Sequence, residues 1–371
     1  MTTSPPKIAE SRRGRVAVLT LNRPEALNAL DSEMIEGIGA RFAVWKNDES
    51  VAAVFLESAS EKAFCAGGDV RRLGQVLLAG GRDSASVAIA AKYFADEFFV
   101  DHAIHAFPKP VIAWANRITM GGGIGLFAGA SHRIAATDSV FAMPEIAIGY
   151  FPDVGATWFL NRMPEHIGLF LAITAARFSG ADALHLGLAT HCMLPQAKPA
   201  VLAALEAMTW TGDPSVDNAR VRTKLRLFGE NVKSELAMRA PTLRKLPTST
   251  FADLDGAITA LDPDGDEWLA DARAQYLAGS PTSRRVIFEQ MRRGRELTKR
   301  EAFELEWMLA TNFALRPDFA EGIRAVLIDK DKNPQWDPAS AAEVSDALVD
   351  SFFHLPAEFP ENQLALRFRN T

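Results

Sequence analysis

The chain has 371 residues, of which 48% are hydrophobic and 23% are charged. This composition is typical of a folded protein with a large core, and it excludes intrinsic disorder as the main state. The 40 basic and 46 acidic side chains leave a net charge of −6, which argues against a general nucleic-acid binder.

The N-terminal segment, the apolar stretches and the cysteines indicate where the protein resides. Residues 1–13 are polar, lack the apolar core of a secretory signal, and are predicted to be a flexible N-terminus. The longest apolar stretches, such as Val111–Ala115 and Ile124–Ala130, fall far short of the roughly 20 residues that span a membrane. Cys65 and Cys192 cannot form a disulfide framework and suit a reducing compartment. We expect a cytoplasmic protein, with an organelle matrix as the alternative if the source is eukaryotic.

The first half of the chain alternates strand-like and helix-like segments. Val16–Asn22 is β-branched and apolar and is predicted to be a strand. Asp31 is predicted to cap a helix, because apolar residues recur at helical spacing after it. Further strands are predicted at Val51–Glu57, Lys109–Asn116 and His132–Thr137. This alternation predicts an α/β fold with a covered sheet.

In the second half of the chain, strand signals become rare. A serine cap before a proline predicts a helix that starts after Ser280 and ends near Gly294. Glu301–Phe313 predicts another helix. We therefore expect an α/β core over residues 14–215 and a mostly helical region over residues 216–371. The helical region is expected to pack on the core, because no linker-like segment separates them.

Several common catalytic and metal-binding motifs are absent from the sequence. The chain has no G-x-S-x-G nucleophile elbow, no P-loop and no H-E-x-x-H. The run Gly121–Gly125 does not match G-x-G-x-x-G. His102 and His105 lie one helical turn apart, and we interpret them as surface or half-buried histidines. No metal site is predicted.

Two glycine-rich turns follow predicted strands, at Ala63–Asp69 and Met120–Gly125. Ligands of α/β proteins tend to bind where strands end. A glycine-rich turn lets backbone N–H groups approach a ligand closely, and N–H groups at a helix start are unpaired. Two such groups could hold one developing oxyanion. The alternative is two tight turns without a ligand.

The segment Met143–Gly155 places two carboxylates among apolar residues. Glu145 follows one proline and Asp153 follows another, eight residues later. A carboxyl group in an apolar pocket has a raised pKa and can act as an acid or base near pH 7. The alternative is a solvated Glu and an Asp that caps a helix.

Four segments together resemble the crotonase, or enoyl-CoA hydratase/isomerase, superfamily: NRPEALNAL at Asn22–Leu30, AFCAGGD at Ala63–Asp69, MGGGIGL at Met120–Leu126 and FAMPEIAIGYFPDVG at Phe141–Gly155. The resemblance is closest to the 3-hydroxyisobutyryl-CoA hydrolase branch. It extends over nearly the whole chain through RFSGADALHLGLATH at Arg177–His191, SPTS at Ser280–Ser283 and EGIRAVLIDKDKNPQWDP at Glu321–Pro338.

The resemblance implies a spiral of stacked ββα turns with a helical C-terminal region, and an acyl-CoA thioester as the substrate. It implies that the backbone N–H groups of Gly68 and Gly122 form an oxyanion hole and that Glu145 and Asp153 are catalytic. Glu97, in YFADEFF, resembles a substrate-contacting Glu of the hydrolase branch, with an exposed helical Glu as the alternative. All five residues are expected to contact the substrate.

The carboxylates distinguish hydrolysis from hydration. The resemblance implies that hydratases carry a Glu where this chain has Gly125, and usually a Gly where it has Asp153. It therefore implies hydrolysis of a short 3-hydroxyacyl-CoA, with 3-hydroxyisobutyryl-CoA of valine degradation as the expected substrate. No separate cofactor is expected, because coenzyme A is part of the substrate. A hydratase or isomerase and a non-catalytic acyl-CoA-binding protein remain as alternatives.

The roles of the two carboxylates stay open in the sequence. Glu145 would attack the thioester directly or activate a water. Asp153 would bind the 3-hydroxyl, orient water or protonate the leaving thiolate. Ile146 and the pair Ala156–Thr157 depart from the hydrolase pattern and leave the exact acyl group open.

Binding partners are less well defined. The basic residues near the first two motifs are predicted either to meet coenzyme A phosphates or to form a solvated face; these are Arg23, Lys62, Arg71 and Arg72. The basic segment Arg284–Arg300 is interpreted as an exposed helical face. We expect no nucleic-acid or membrane partner, and a homo-oligomer is compatible with the superfamily, which often forms trimers.

Overall fold

The computed structural model of the protein describes residues 5–164 and 166–369. Its strands are β1 (Ile8–Arg13), β2 (Val16–Leu21), β3 (Ala53–Ser58), β4 (Ala63–Cys65), β5 (Val111–Ala115), β6 (Ile118–Met120), β7 (His132–Ala136), β8 (Val140–Ala142), β9 (Phe178–Ser179) and β10 (His191–Met193). Its α-helices are α1 (Ser32–Asn47), α2 (Arg71–Ala79), α3 (Ser84–His105), α4 (Gly122–Gly129), α5 (Ala156–Leu160), α6 (Ile167–Thr174), α7 (Gly180–His185), α8 (Lys198–Glu206), α9 (Pro214–Leu225), α10 (Glu235–Leu243), α11 (Phe251–Thr259), α12 (Glu267–Ala278), α13 (Pro281–Arg293), α14 (Lys299–Leu315), α15 (Pro317–Ile323), α16 (Asp346–Ser351) and α17 (Gln363–Arg369). A 3₁₀ turn covers Glu145–Ile148.

The predicted helix caps and the four predicted strands are confirmed. The α1 helix follows Asp31, whose side chain accepts a hydrogen bond from the Met34 N–H at 3.0 Å. The α13 helix begins at Pro281, after Ser280 as its cap, and ends before Gly294. The four predicted strands of the first half are observed as β2, β3, β5 and β7.

The predicted flexible N-terminus is wrong over residues 8–13, which form β1. This strand pairs antiparallel with β2, from Ile8 opposite Leu21 to Arg13 opposite Val16. The tight connection places Gly14 at a φ of 57°. The strand is polar and mostly exposed, so it lacks the apolar alternation that would predict it. Residues 1–4 of the predicted segment lie outside the described residues.

The chain divides into two compact units, each drawn from three segments. The first unit comprises residues 1–68, 100–141 and 178–238, and the second comprises residues 69–99, 142–177 and 239–371. Both units take residues from either side of position 215, so this division does not follow the predicted sequential boundary.

The first unit contains two sheets that the chain visits alternately. The larger sheet has the order β1-β2-β3-β5-β7-β10 and is parallel except at β1. The smaller sheet has the order β4-β6-β8-β9. The pairs β3/β4, β5/β6 and β7/β8 each give one strand to each sheet, and each pair is followed along the chain by a helix. This repeat confirms the predicted α/β spiral of ββα turns.

One face of the larger sheet packs against α8 and α9 to form a buried apolar core. The strands contribute alternate residues, because successive side chains of a strand point to opposite faces. The cluster comprises Val16, Val18, Ala53, Phe55, Ile112, Trp114, Ile134 and Met193 from the strands and Val201, Leu205, Val221 and Leu225 from the helices.

The second unit is built mainly from helices around an aromatic core. Phe94 of α3, Phe313 of α14 and Phe319 of α15 contact Tyr150, with ring centroids 4.6–5.5 Å apart. Beyond β10, the described residues contain helices and no further strand. No helix among the described residues combines the length and apolarity needed to cross a bilayer.

Candidate active site

The two glycine-rich turns lie side by side in the first unit. They follow β4 and β6, which are neighbouring parallel strands, so both turns leave the same edge of the smaller sheet. A Cβ added at Gly123 would lie 2.4 Å from the Cys65 carbonyl oxygen. A Cβ added at Gly67, whose φ is 109°, would lie 3.3 Å from the Met120 carbonyl oxygen. The turns therefore pack backbone against backbone, which only glycine allows at position 123.

The amide groups predicted to form the oxyanion hole belong to these two turns. Gly122 is the first residue of α4, where helical N–H groups have no intrahelical partner. In the other turn, the Gly67 carbonyl accepts a hydrogen bond from the Leu30 N–H at 2.8 Å. Within the described part of the chain, neither the Gly68 nor the Gly122 N–H donates a hydrogen bond. Both donors are thus available to an oxygen that develops negative charge, and the α4 dipole favours such a charge.

Three predicted carboxylates belong to the second unit and are all buried. Glu97 is 4% exposed, Glu145 is 7% exposed and Asp153 is 5% exposed. Oε1 of Glu97 and Oε2 of Glu145 have no hydrogen-bond partner among the described residues. The alternatives of an exposed Glu97 and a solvated Glu145 are therefore wrong. Asp153 does not cap a helix either, because the residue before α5 is Gly155.

Burial changes the acidity of the two glutamates. Loss of water around Glu145 raises its pKa well above the usual carboxyl range, and the nearby charge of Glu97 raises it further. Burial alone raises the pKa of Glu97. Ionising both would place two negative charges close together away from water. Such a pair can exchange protons near neutral pH, which is the property required of a general acid or base.

The turn that carries Asp153 is held by two helices from the C-terminal half of the chain. Oε2 of Glu306 in α14 accepts a hydrogen bond from the Gly155 N–H at 2.6 Å, and Oε1 accepts one from the Thr157 N–H at 2.8 Å. Nε2 of Gln290 in α13 donates to the Pro152 carbonyl oxygen at 2.7 Å. Burial raises the pKa of Glu306 to about 7, against the lowering effect of its hydrogen bonds.

These contacts stabilise an unusual backbone conformation. Val154 and Gly155 have φ angles of 54° and 89°, in the left-handed region that a valine rarely adopts. Glu306 binds the N–H groups at the start of α5, which would otherwise be buried without a partner. A carboxylate at this helix start replaces the usual capping side chain, so the turn is fixed by a distant residue.

Glu306 and Gln290 are absent from the predicted site. One signal was available for Glu306: it lies one helical turn from Phe303 and from Ala310, on the buried face of α14. A charged residue on an apolar helical stripe usually has a specific partner. Tyr150 is also absent, because the sequence places it only among the apolar residues around Glu145.

The turn that carries Glu145 packs closely against α15. A Cβ on Gly149, whose φ is 65°, would lie 2.3 Å from the Asp318 carbonyl oxygen, and a Cβ on Gly322 would lie 2.3 Å from the Ile148 carbonyl carbon. The Asp318 side chain accepts hydrogen bonds from the Ser280 hydroxyl at 2.5 Å and from a backbone N–H at 2.9 Å. Segments that resemble one family but lie far apart in sequence thus meet at this turn.

The basic residues and histidines have local partners or remain without an assigned role. Arg23 donates to the Ala29 carbonyl oxygen at 2.9 Å, and Arg71 pairs with Asp69 at 3.3 Å. Lys62 and Arg72 are exposed. The histidines of the last turn of α3, His102 and His105, are half-buried. Among the described residues, no group of three or more His, Cys, Asp or Glu side chains could hold a metal ion.

The interpretation of Arg284–Arg300 as an exposed face is wrong at its first residue. Arg284 is only 9% exposed. Its guanidinium lies 4.6 Å from the Tyr276 ring centroid and donates to the Leu277 carbonyl oxygen at 2.6 Å. Delocalised charge and planar geometry allow an arginine to be buried in this way.

Comparisons with known proteins place the chain among acyl-CoA enzymes. Residues 16–353 match the family described as Enoyl-CoA hydratase/isomerase. The mitochondrial 3-hydroxyisobutyryl-CoA hydrolase of Xenopus tropicalis is 36% identical over 345 residues, which cover 92% of this chain and 87% of that protein. The family assignment is consistent with the observed ββα spiral.

Two solved structures share the fold over nearly the full length. The crystal structure of a carnitinyl-CoA dehydratase from Mycobacterium thermoresistibile is 32% identical, with a TM-score of 0.84 and coverage of 96% of this chain and 98% of that chain. The structure of an enoyl-CoA hydratase from Rhodobacter sphaeroides is 31% identical, with a TM-score of 0.82 and coverage of 94% and 97%. The names of these relatives give different activities, so the reaction of this chain depends on its own site residues.

The close contact at Gly123 predicts that Gly123→Ala destabilises the first unit. The new methyl group would overlap the Cys65 carbonyl oxygen, and relief requires backbone movement that costs about 1–3 kcal/mol. Gly256→Ala is the control, because a Cβ there meets nothing within 4 Å and alanine favours helix α11. Thermal unfolding followed by circular dichroism should show a lower Tm for the first variant only. Equal melting temperatures would contradict the backbone packing described.

The burial of Glu145 predicts a pH-dependent gain in stability for Glu145→Gln. The pKa of Glu145 is higher in the folded state than in the unfolded chain, so this carboxyl ionises first in the unfolded chain as pH rises. The free energy of unfolding therefore falls once the pH exceeds the ordinary carboxyl pKa. The neutral amide removes this loss, so we expect a gain of about 1–3 kcal/mol near pH 8.5 that shrinks toward pH 5. Urea denaturation at both pH values measures it, with the exposed Glu358→Gln as control. A gain independent of pH would refute this explanation.

The hydrogen bonds of Glu306 predict that Glu306→Ala destabilises the protein. Two buried N–H groups, of Gly155 and Thr157, would lose their acceptor, at a cost of about 2–4 kcal/mol. Glu304→Ala on the same helix removes only a partly exposed ion pair with Arg300, worth less than about 1 kcal/mol. Urea denaturation of both variants tests this difference. Similar losses would mean that Glu306 does not fix the Asp153 turn.

Proposed function

We propose that this chain, which belongs to the enoyl-CoA hydratase/isomerase family, hydrolyses the thioester of a short 3-hydroxyacyl-CoA. The observation that carries the proposal is the buried carboxyl of Glu145, which has a raised pKa and one oxygen without a hydrogen-bond partner in the described part of the chain. The curated relative named as a 3-hydroxyisobutyryl-CoA hydrolase supports 3-hydroxyisobutyryl-CoA, an intermediate of valine degradation, as the substrate. The products would be the free hydroxy acid and coenzyme A.

In the proposed reaction, the two glycine-rich turns supply hydrogen-bond donors. Attack on the thioester carbonyl places negative charge on its oxygen. The N–H groups of Gly68 and Gly122 would stabilise this charge, and each donor is worth about 3 kcal/mol in comparable sites. Backbone donors fixed by close turn packing need little reorganisation as the charge develops.

Glu145 would start the reaction in one of two ways. Direct attack on the carbonyl carbon forms a mixed anhydride and releases the coenzyme A thiolate, and water then hydrolyses the anhydride. Alternatively, Glu145 takes a proton from a water that attacks the same carbon. Both routes require an ionised Glu145. Burial and the charge of Glu97 raise the pKa of this carboxyl, so activity would rise at a higher pH than with an exposed glutamate.

Asp153 and Glu97 would contact the acyl end of the substrate. Asp153 would bind the 3-hydroxyl, orient water or protonate the leaving thiolate, and Glu97 would help to hold the hydroxyl. Their burial supports contact with a bound group rather than with solvent. No cofactor is part of the scheme, because coenzyme A belongs to the substrate.

A hydratase is the second candidate, and the names of the two solved structures favour it. Hydration of an enoyl-CoA in the resembled hydratases uses two glutamates. The position of the first is Gly125 here, inside the buried start of α4, and glycine has no side chain to supply. This substitution favours hydrolysis. Tight coenzyme A binding without turnover would instead indicate a non-catalytic binding protein.

The compartment and assembly of the protein remain predictions. The curated relatives are named as mitochondrial proteins, which is compatible with the organelle alternative for a eukaryotic source and does not support the cytoplasmic one. A homo-oligomer stays a prediction from the resemblance to the superfamily.

The proposal is tested by free-thiol release from 3-hydroxyisobutyryl-CoA, measured beside hydration of crotonyl-CoA on the same preparation. We expect rapid thiol release without hydration. Glu145→Gln and Asp153→Asn should each lose at least about 100-fold in kcat while the fold persists, whereas Glu358→Gln should retain full activity. Hydration without thiol release would replace the proposed function with that of a hydratase.

A further inference from the structure

A buried tyrosine lies between the two proposed catalytic carboxylates. Tyr150 follows Glu145 by five residues and precedes Asp153 by three, and its N–H donates to the Glu145 carbonyl oxygen at 3.0 Å. The residue is only 2% exposed. Its hydroxyl group has no hydrogen-bond partner among the described residues. A buried hydroxyl without a partner is unfavourable, so its presence requires an explanation.

The tyrosine ring is held firmly in place. It stacks on Phe94 with ring centroids 5.2 Å apart and on Phe319 at 4.6 Å. The ring of Phe313 meets it edge-on at 5.5 Å. Rotation that carried the hydroxyl to another partner would break these aromatic contacts. The hydroxyl is therefore presented at a fixed position, as a group that binds a ligand has to be.

Four carboxyl groups lie near enough to Tyr150 for their charges to act on its hydroxyl. Burial raises the pKa of Tyr150 well above its usual range, and the negative charges of Asp153, Glu97, Glu306 and Glu145 raise it further. The phenol therefore keeps its proton at all physiological pH values. An ionised carboxylate only accepts hydrogen bonds, whereas a phenol can donate one. Tyr150 thus adds a donor that keeps its proton when the carboxyl groups of the cluster are ionised.

We propose that Tyr150 determines specificity for the 3-hydroxyl group of the acyl chain, to whose oxygen its O–H donates a hydrogen bond. The inference rests on the proposed function, and it names the residue that reads the substrate hydroxyl. An alcohol both donates and accepts hydrogen bonds. A carboxylate of the cluster can accept a hydrogen bond from the substrate 3-hydroxyl, and Tyr150 can donate one to the oxygen of that hydroxyl. Both the donor and the acceptor of the substrate hydroxyl are then bound.

The proposed hydrogen bond to the substrate explains why the buried Tyr150 hydroxyl has no partner among the described residues. The 3-hydroxyl of the substrate would supply one. A substrate without that hydroxyl would leave both Tyr150 and a carboxylate unsatisfied in a buried place. Sites built to bind a substrate hydroxyl reject the analogue without it far more strongly than a methylene difference would allow.

Tyr150→Phe tests the inference, because it removes the hydroxyl and leaves the ring in its aromatic contacts. The kcat/KM for thiol release is measured with 3-hydroxyisobutyryl-CoA and with isobutyryl-CoA. We expect a fall of roughly 10- to 100-fold with the hydroxylated substrate and less than about 3-fold with isobutyryl-CoA. The Tm should stay equal or rise, because an unpaired buried hydroxyl is removed.

Tyr276→Phe is the matched control. The Tyr276 hydroxyl donates to Oδ1 of Asp255 at 2.5 Å, so this variant loses an existing hydrogen bond of the protein. We expect a lower Tm and an unchanged ratio of kcat/KM between the two substrates. A change in the ratio as large as that of Tyr150→Phe would overturn the inference, because loss of any buried hydroxyl would then suffice.

The remaining outcomes separate the inference from the function on which it rests. Thiol release by the wild type, with an unchanged substrate ratio in Tyr150→Phe or an equal loss with both substrates, would overturn the role of Tyr150 alone. Failure of the wild type to release thiol from either substrate would refute the proposed function, and the specificity role would fall with it.

Discussion

The carboxyl groups of Glu97 and Glu145 are buried near each other, each with an oxygen atom that no hydrogen bond satisfies among the described residues. This arrangement opposes folding of the second unit, because ionisation without water is unfavourable. Packing interactions around the two carboxyl groups offset this unfavourable free energy. An aromatic core surrounds Tyr150, and α15 packs against the Glu145 turn through Gly149 and Gly322. The unit thus has the features expected of a site that is stabilised by its surroundings and strained at its centre.

Two C-terminal helices, α13 and α14, hold the turn that carries Asp153. The Asp153 turn contains a left-handed valine and starts a helix of only five residues, so local contacts cannot hold it. Glu306 and Gln290 bind its backbone from α14 and α13. Helices α13 and α14 are therefore part of the candidate site, because they fix the turn that carries Asp153.

Features that depend on residues close together in sequence could be predicted, whereas contacts between residues far apart in sequence could not. The Asp31 and Ser280 caps, the apolar strands and the glycine turns were predictable because neighbouring residues determine them. The bond between Glu306 and Gly155 joins residues 151 positions apart, and that between Gln290 and Pro152 joins residues 138 apart. No spacing rule connects such pairs. Burial of Glu145 was predictable from its apolar neighbours, whereas the unpaired hydroxyl of Tyr150 depends on rings from three helices.

The coupled glutamates also bear on how one site can supply both a base and an acid. Two nearby buried carboxyls interact so strongly that their titrations belong to the pair, and the first ionisation raises the pKa of the second. In the pH range between the two ionisations, such a pair holds one negative charge and one proton. In the proposed hydrolysis, the charge on Glu145 would serve attack, and the proton kept on Glu97 would limit the repulsion that opposes that charge. A second carboxyl is thus useful even where it touches no reacting atom, and its removal would lower the pKa of Glu145 and weaken it as a base.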